Sequence, residues 1–413
     1  MSQKSKNFIL NSIGTSFNAF ISLILLIIVT RFNGIEKAGI FSFIYSFSIL
    51  MFTFSNYGGR IYQTSDFNNE FSLKEYFNSR LITSILMIFV SLLYCFFVNY
   101  NFYNILLVLI FVIIRVIETL SDIIYGDLQK KERLDIVGKS LIYKNSCVVI
   151  AFLFTTIVTK NLIFSVISIM IVTFIMFLFY DLPKTKKINI SLNRREFHLL
   201  SKSKYVFLFG IVTVAILNIP RFIANIYLDP VQIGYIGILM MIPSVIALLV
   251  QLIIQPEIVL FTRLVNEKNK KQLYKETSKC ILIILGVCVI CSIAAIFLGN
   301  PVLSILYGVS FQSYELIFCL LILIGTLNGI TSLLSSILSI LREIKIQFYM
   351  FFSIMLISII ISYFVTSIYS MYGLIVSFLI TMCIQLLVFS IIFYVKTNEI
   401  LSTNNIDDKK EDI

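Results

Sequence analysis

Apolar runs of about twenty residues recur along the whole chain, and each is long enough to cross a ~30 Å hydrocarbon core as a helix. Twelve are counted, at approximately 8–30, 39–58, 79–98, 102–125, 138–159, 161–180, 204–228, 232–254, 279–298, 314–340, 344–366 and 371–395. Backbone groups in lipid must be paired within the protein, so only helices and closed barrels span a membrane. These runs are continuously apolar rather than alternating, which reads as helices and not as barrel strands. Apolar residues are 58% of 413 and charged residues only 13%, so the expected class is all-α and polytopic.

The net charge of +11 raises the question of nucleic acid, and its placement answers it. With a cytosolic N-terminus, the basic residues of the connections fall almost wholly on one side. Lys4, Lys6, Arg60, Lys74, Arg80, Lys130, Lys131, Arg133, Lys139, Lys144, Lys184, Lys186, Lys187, Arg194, Arg195, Lys202 and Lys204 lie there, as do Arg263, Lys268, Lys270, Lys271, Lys275, Lys279, Arg342, Lys345, Lys396, Lys409 and Lys410. Arg31, Lys37 and Lys160 lie opposite, and Arg115 and Arg221 are left inside helices. This is the positive-inside bias of a cell-membrane protein with both termini in the cytosol, and no nucleic-acid partner is expected.

The first span is longer than a signal-peptide core and ends at Thr30-Arg31-Phe32-Asn33 without a small-residue cleavage site, so it is expected to stay. Seven cysteines lie in apolar surroundings, and Cys288 and Cys291 have CxxC spacing in mid-helix with no histidine near. The only histidine, His198, falls in a cytosolic connection. Neither a disulfide framework nor a metal or cofactor site is expected.

The longest break in the apolar pattern runs from Asp181 to Ser203, where Asp181-Leu182-Pro183 stops a helix and a basic linker follows. Asn193 is a candidate cap for a short interfacial helix there. The chain is thus expected to divide into a bundle at 1–180, a cytosolic linker at 181–203, a second bundle at 204–395 and a disordered tail at 396–413. Val29-Thr30-Arg31-Phe32 with Gly34 and Gly39 is echoed by Ile219-Pro220-Arg221-Phe222 with Gly234 and Gly237. Two parallel six-helix repeats about a pseudo-twofold axis follow.

Polar residues are gathered on particular faces. Arg115, Glu118 and Asp122 are spaced i, i+3, i+7 in one apolar run, within about a 60° arc at 100° per residue. A charge deep in a bilayer helix costs roughly 2.5–3.5 kcal/mol, so this arc reads as a wet interior face. Span one carries Asn7, Asn11, Thr15, Asn18 and Ser22 on one side, and span two carries Ser42, Ser46, Thr53, Asn56 and Arg60. Asn218, Arg221 and Asn225 cluster in span seven, while Ser244, Gln251 and Gln255 line span eight. Ser332, Ser335 and Ser339 with Asn328 do so in span ten. Such arcs are either interhelical packing seams or the lining of a hydrated cavity. Pro220, Pro243 and Pro256 are expected to kink the second half's helices.

Asn11, then Val29-Thr30-Arg31-Phe32-Asn33-Gly34-Ile35-Glu36-Lys37-Ala38-Gly39-Ile40-Phe41, and Asn56-Tyr57-Gly58-Gly59-Arg60 carry a resemblance. They are similar to the opening segments of Wzx-type polysaccharide repeat-unit flippases, of the multidrug/oligosaccharidyl-lipid/polysaccharide exporter superfamily. Asn33 departs from the small or hydrophobic residue more usual before that glycine. The resemblance implies two six-helix bundles around a central cavity lined chiefly by helices one, two, seven and eight. It also implies transfer of an undecaprenyl-pyrophosphate-linked oligosaccharide to the outer leaflet for O-antigen or capsule synthesis. A polysaccharide polymerase and chain-length machinery would be partners.

A pyrophosphate suits the planar fork of arginine, which makes Arg31, Arg60, Arg115 and Arg221 candidates. Asn11, Asn18, Asn56, Asn218, Asn225, Gln251 and Gln255 are candidate cavity residues, and Glu118 and Asp122 candidate ion-coupling or gate residues. Against these stand a snorkelling Arg31, a topology-anchoring Arg60 and an internal Arg115–Glu118 ion pair. A cation-coupled drug exporter and a polytopic glycosyltransferase or polymerase are the competing readings. No Walker loop is present and the outer connections are very short, so the chain is expected to be no enzyme.

Overall fold

The computed structural model describes residues 3–66, 69–185 and 194–402. Asn193, Lys186 and Lys187 of the linker, and Lys409 and Lys410 of the tail, lie outside the described residues. Within them the chain is helical throughout, with no strand. The N-terminal helices are α1 (Gln3–Asn33), α2 (Ile35–Asn56), α3 (Gly59–Ser65), α4 (Leu73–Phe97), α5 (Phe102–Lys130), α6 (Leu134–Thr159) and α7 (Leu162–Met176). They are followed by α8 (Arg194–Tyr227), α9 (Pro230–Leu239), α10 (Met241–Asn266), α11 (Lys270–Tyr307), α12 (Glu315–Ile340) and α13 (Ile344–Ser402).

Twelve membrane-length helical stretches are present among the described residues. Ten are long and apolar enough by composition alone. The last of these, Ile344–Leu401, is two helices divided at Ser370 (φ 50°), and α5 adds a further helix of 29 residues. Their ends follow local chemistry. Ser72 and Glu75 form a reciprocal capping box at the start of α4, and Asn101, Asn161, Asp229 and Asn269 accept backbone N–H groups at the starts of α5, α7, α9 and α11. Gly34 (φ 87°) separates α1 from α2 in a conformation that only glycine adopts cheaply. Pro220 and Pro256 lie inside α8 and α10, whereas Pro243 stands in the first turn of α10, just after the break at Met240.

The helices divide into two compact units, 1–218 and 219–413, and the division falls inside α8 rather than at the 181–203 connection. Among the described residues, Arg194 to Lys202 do not form a helix of their own. Residues Arg194 to Lys202 are the first turns of α8, because Glu196, fully buried, accepts from Asn78 Nδ2 at 3.0 Å and Arg195 pairs with Glu75 at 3.1 Å. At the other end, α13 runs on to Ser402, past the expected start of the tail.

Burial of apolar side chains supplies little drive between helices in lipid, so close approach through small residues matters more. In the first unit α1 lies along α6, with Gly14 and Gly138 so close that a Cβ on either would strike the other helix's backbone. Helix α5 is the centre, enclosed by α2, α3, α4, α6 and α7, and buries residues on every side. In the second unit α12 is the centre, with Gly325 against Pro243 and Ile246, and Gly329 against Val250. The two halves of α13 are joined by Ser377–Ser362 and Thr381–Ser358 hydroxyl bonds, both 3.2 Å. The Gln347 amide lies between the Ser335 and Ser339 hydroxyls, so part of the span-ten serine stripe is a packing seam.

Candidate functional site

Helix α5 carries the chemistry of the first unit. Its ionisable arc exists, but it is not an open wet face: Arg115 and Asp122 are each only 8% exposed. The three residues enter two clusters about 10 Å apart along the helix, two turns at 1.5 Å per residue.

The outer of these, relative to the α5–α6 turn, is built on Arg115. Its guanidinium pairs with Glu118, donates from Nε to the Ser48 hydroxyl at 3.0 Å and lies 4.9 Å over the Tyr45 ring. The other Glu118 oxygen takes Lys144 Nζ from α6 at 2.9 Å. A cavity of about 30 Å³ adjoins Arg115, Glu118, Lys144, Tyr45 and Asn145, enough for a water molecule. Lys144 corrects the sequence reading, which counted it among cytosolic topology anchors. It is buried against α5 because Glu118 needs a second donor and α6 presents one.

The second cluster gathers around Asp122. Arg60 Nη1 reaches Asp122 Oδ1 at 3.0 Å, and Asn56 Nδ2 donates to Oδ2 at 3.3 Å. Arg60 Nε and Nη2 both donate to Gln129 Oε1, at 3.2 and 3.1 Å. Arg80 from α4, 2% exposed, donates from Nη2 to Asn56 Oδ1 at 2.7 Å. The segment Asn56-Tyr57-Gly58-Gly59-Arg60 thus has a local cause: Tyr57 and Gly58 are left-handed and break the helix, and α3 then starts on a new course with Arg60 facing α5. Gly126 on α5 admits Gln63, whose amide donates to Ile123 O at 3.2 Å.

The Asp122 cluster holds one base more than it holds acid, Arg60 and Arg80 with Asp122, whereas Arg115 and Lys144 share Glu118 and Lys144 also lies within electrostatic reach of Asp181. Asp181 is itself buried and accepts from the Ser140 hydroxyl at 2.6 Å and the Tyr125 hydroxyl at 3.0 Å. A larger cavity of about 740 Å³ opens beside Gln129, between α3, the start of α4 and the end of α5.

The chain's resemblances in three dimensions agree with this architecture. It superposes on an inward-facing multidrug-resistance MATE family transporter of the MOP superfamily with a TM-score of 0.74 at 10% identity, over 98% of this chain and 100% of that one. It superposes on the lipid II flippase MurJ, in an inward closed conformation, with a TM-score of 0.72 at 18% identity, over 95% and 90% of the two chains. The chain has the fold of these two proteins. That shared fold accounts for the all-α, many-span architecture expected from the apolar runs. In sequence, the chain is 23% identical over 329 residues to a Staphylococcus aureus protein named capsular polysaccharide biosynthesis protein CapF, covering 76% of this chain and 80% of that one. No family model matches.

The remaining candidates are spread over this fold. Arg31 stands exposed in the last turn of α1. Asn18 is exposed on α1 and accepts from Asn145 Nδ2 at 3.2 Å, while Asn11 lies beside Gly138 on the α1–α6 seam, so this stripe is partly packing. Asn218 is buried and back-bonds to Val214 O at 2.8 Å; Arg221 and Asn225 are half-buried. Gln251 and Gln255 are exposed on α10. Arg80, Lys144 and Asp181 are the buried polar residues the sequence reading left out of the site. For Lys144 a signal was present, since it lies inside the apolar run 138–159.

Proposed function

We propose that this chain is a flippase that carries an undecaprenyl-pyrophosphate-linked oligosaccharide from the cytosolic to the outer leaflet of the cell membrane. Alternating access of its two helical units would provide the path, with both termini cytosolic. The observation that carries the reading is the surplus base in the cluster of Arg60, Arg80 and Asp122. An uncompensated cation in a membrane helix bundle is costly, and an anionic ligand relieves that cost. The pyrophosphate is such a ligand, and Arg60, at the less buried cluster with its side chain 29% exposed, is the group best placed to meet it. Arg31, Arg115 and Arg221, with Asn11, Asn18, Asn56, Asn218, Asn225, Gln251 and Gln255, complete the proposed path for the phosphates and glycan.

The likeness to a capsular polysaccharide biosynthesis protein and to a lipid II flippase supports the same substrate class. A polymerase and chain-length machinery are the partners such a product requires. Glu118 and Asp122 are each already neutralised by a base, which supports an electrostatic rather than an ion-coupling role for them. The test is reconstitution into proteoliposomes with a fluorescent lipid-pyrophosphate-linked oligosaccharide. Transfer of this lipid across the bilayer, abolished by Arg115→Ala with insertion intact, is expected. Transport of a cationic dye in its place would make the chain a drug exporter and overturn the proposal.

A further inference from the structure

Helices α2 and α3 form one apolar stretch, Ile35–Ser65, broken at Tyr57 and Gly58, which take φ of 48° and 65°. A break inside a membrane helix leaves carbonyl groups without the N–H of the next turn, and lipid offers no substitute. The groups concerned here are Ser55 O and Asn56 O. Arg80 Nη1 donates to Ser55 O at 3.0 Å and also to Asn56 O, and the Thr83 hydroxyl adds a 2.7 Å bond to Ser55 O. The guanidinium charge therefore sits at the C-terminal end of α2, where the helix dipole favours a cation.

Two details tie Arg80 to the break rather than to general packing. A Cβ on Gly59 would overlap the guanidinium, so the glycine that opens α3 is also the space the cap occupies. Arg80 Nη2 holds Asn56 Oδ1, which fixes the amide so that Nδ2 faces Asp122. Asp122 in turn holds Arg60. Arg80 itself is too buried to meet a substrate, so whatever it does is done through these neighbours.

We infer that Arg80 is a positioning residue: it caps the break between α2 and α3 and, through Asn56, sets the Arg60–Asp122 pair. A cytosolic topology anchor would need only the charge, so lysine would serve equally and the space at Gly59 would be irrelevant. The cap needs the planar fork, which bonds two carbonyls and a side-chain amide at once. Its functional consequence rests on the anion-site reading of Arg60; the structural half does not.

The test uses the full chain in a cysteine-free background, spin-labelled at Ser65 on α3 and Glu132 beyond α5. The parent should give one narrow distance distribution, which Arg80→Met, Arg80→Lys and Gly59→Ala each shift or broaden. Gly59→Ala should change nothing further in an Arg80→Met background, because the guanidinium it strikes is gone. Binding of inorganic pyrophosphate, followed in unlabelled protein, should weaken about tenfold in Arg80→Met and in Gly59→Ala. An unchanged distance in Arg80→Met or Arg80→Lys, or a Gly59→Ala effect equal with and without Arg80, overturns the inference. Where Arg80→Met does not assemble, Arg80→Lys and Gly59→Ala carry the same decision. A parent protein that ignores pyrophosphate defeats the anion-site reading, while the label distances still judge the cap.

Discussion

Lys144 on α6 donates to Glu118 on α5 at 2.9 Å, and the same carboxylate is taken on its other oxygen by Arg115. Glu118 is therefore the counter-ion of two buried bases, and the two bases are not equivalent to it. Removing the shared acid strands both cations, whereas removing one cation leaves a neutral pair.

The first prediction follows from that asymmetry. Glu118→Gln should cost about 3–5 kcal/mol of stability, the usual penalty for leaving buried charge unpaired. Lys144→Met should be close to neutral, and should restore part of the loss when added to Glu118→Gln. Thermal unfolding of the purified variants in detergent measures both. A Glu118→Gln protein as stable as its parent would sink the idea that the cluster balances charge.

Arg60 is the more open of the two arginines, with 29% of its side chain exposed against 10% for Arg115. Arg60→Ala should weaken binding of inorganic pyrophosphate about tenfold, or ~1.4 kcal/mol. Arg60→Lys should recover only part of it, because one ammonium cannot span Asp122 and Gln129 as the fork does. Calorimetric titration at fixed ionic strength reads the difference. Unchanged affinity in the alanine variant removes Arg60 from the site.

The twelve helices were legible because a bilayer imposes length and apolarity on every span, whatever it packs against. The polar arc of α5 was legible for the same reason, but its meaning was not. A helical angle shows that Arg115, Glu118 and Asp122 share a side; it cannot show that α6 brings Lys144, or α3 brings Arg60, to meet them. Arg80 was hidden by position: an arginine near the cytosolic end of a span reads as a topology anchor, and only the break at Tyr57 and Gly58 exposes the carbonyls that it caps. The length of α8 was obscured because polar residues read as a loop, although Glu196 is polar for the sake of Asn78.

A third prediction concerns the connection before α4. Burial pushes the Asp66 carboxyl up, but the N–H groups of Glu70 and Phe71, Lys130 and the Tyr76 hydroxyl outweigh it and hold it below the usual carboxylate range. A folded-state value below the unfolded one of about 3.9 gives stability that is fully present above that value. It is lost only as pH falls through the folded value. Hydrogen exchange at Glu70 and Phe71 should therefore show protection that is constant from pH 5 to 8, after correction for intrinsic rates. Asp66→Ala should abolish that protection. Protection surviving in Asp66→Ala would mean that other contacts hold the turn.

The last prediction separates cavity from seam. Single cysteines at Asn18 and Gln251, both exposed positions of α1 and α10, should react with membrane-impermeant thiol reagents if those polar faces meet water. A cysteine at Asn225 tests the α8 cluster in the same way and should label more strongly from the outer side. Ile21, only about 60° from Asn18 around α1, and Ile223, on the far side of α8 from Asn225, are 8% and 5% exposed, so their silence would report protein packing rather than lipid. The lipid control belongs at Ile85 on α4 and Leu252 on α10, which are 67% and 66% exposed and apolar. Leu252 is the sharper control, since it adjoins Gln251 in sequence but is turned about 100° around the helix. Under alternating access, added lipid-linked oligosaccharide should shift the ratio of inner to outer labelling by favouring one state. Equal reaction at Gln251 and Leu252 would mean that the glutamine face is no wetter than its lipid-facing neighbour, and the proposed path along α10 would be wrong.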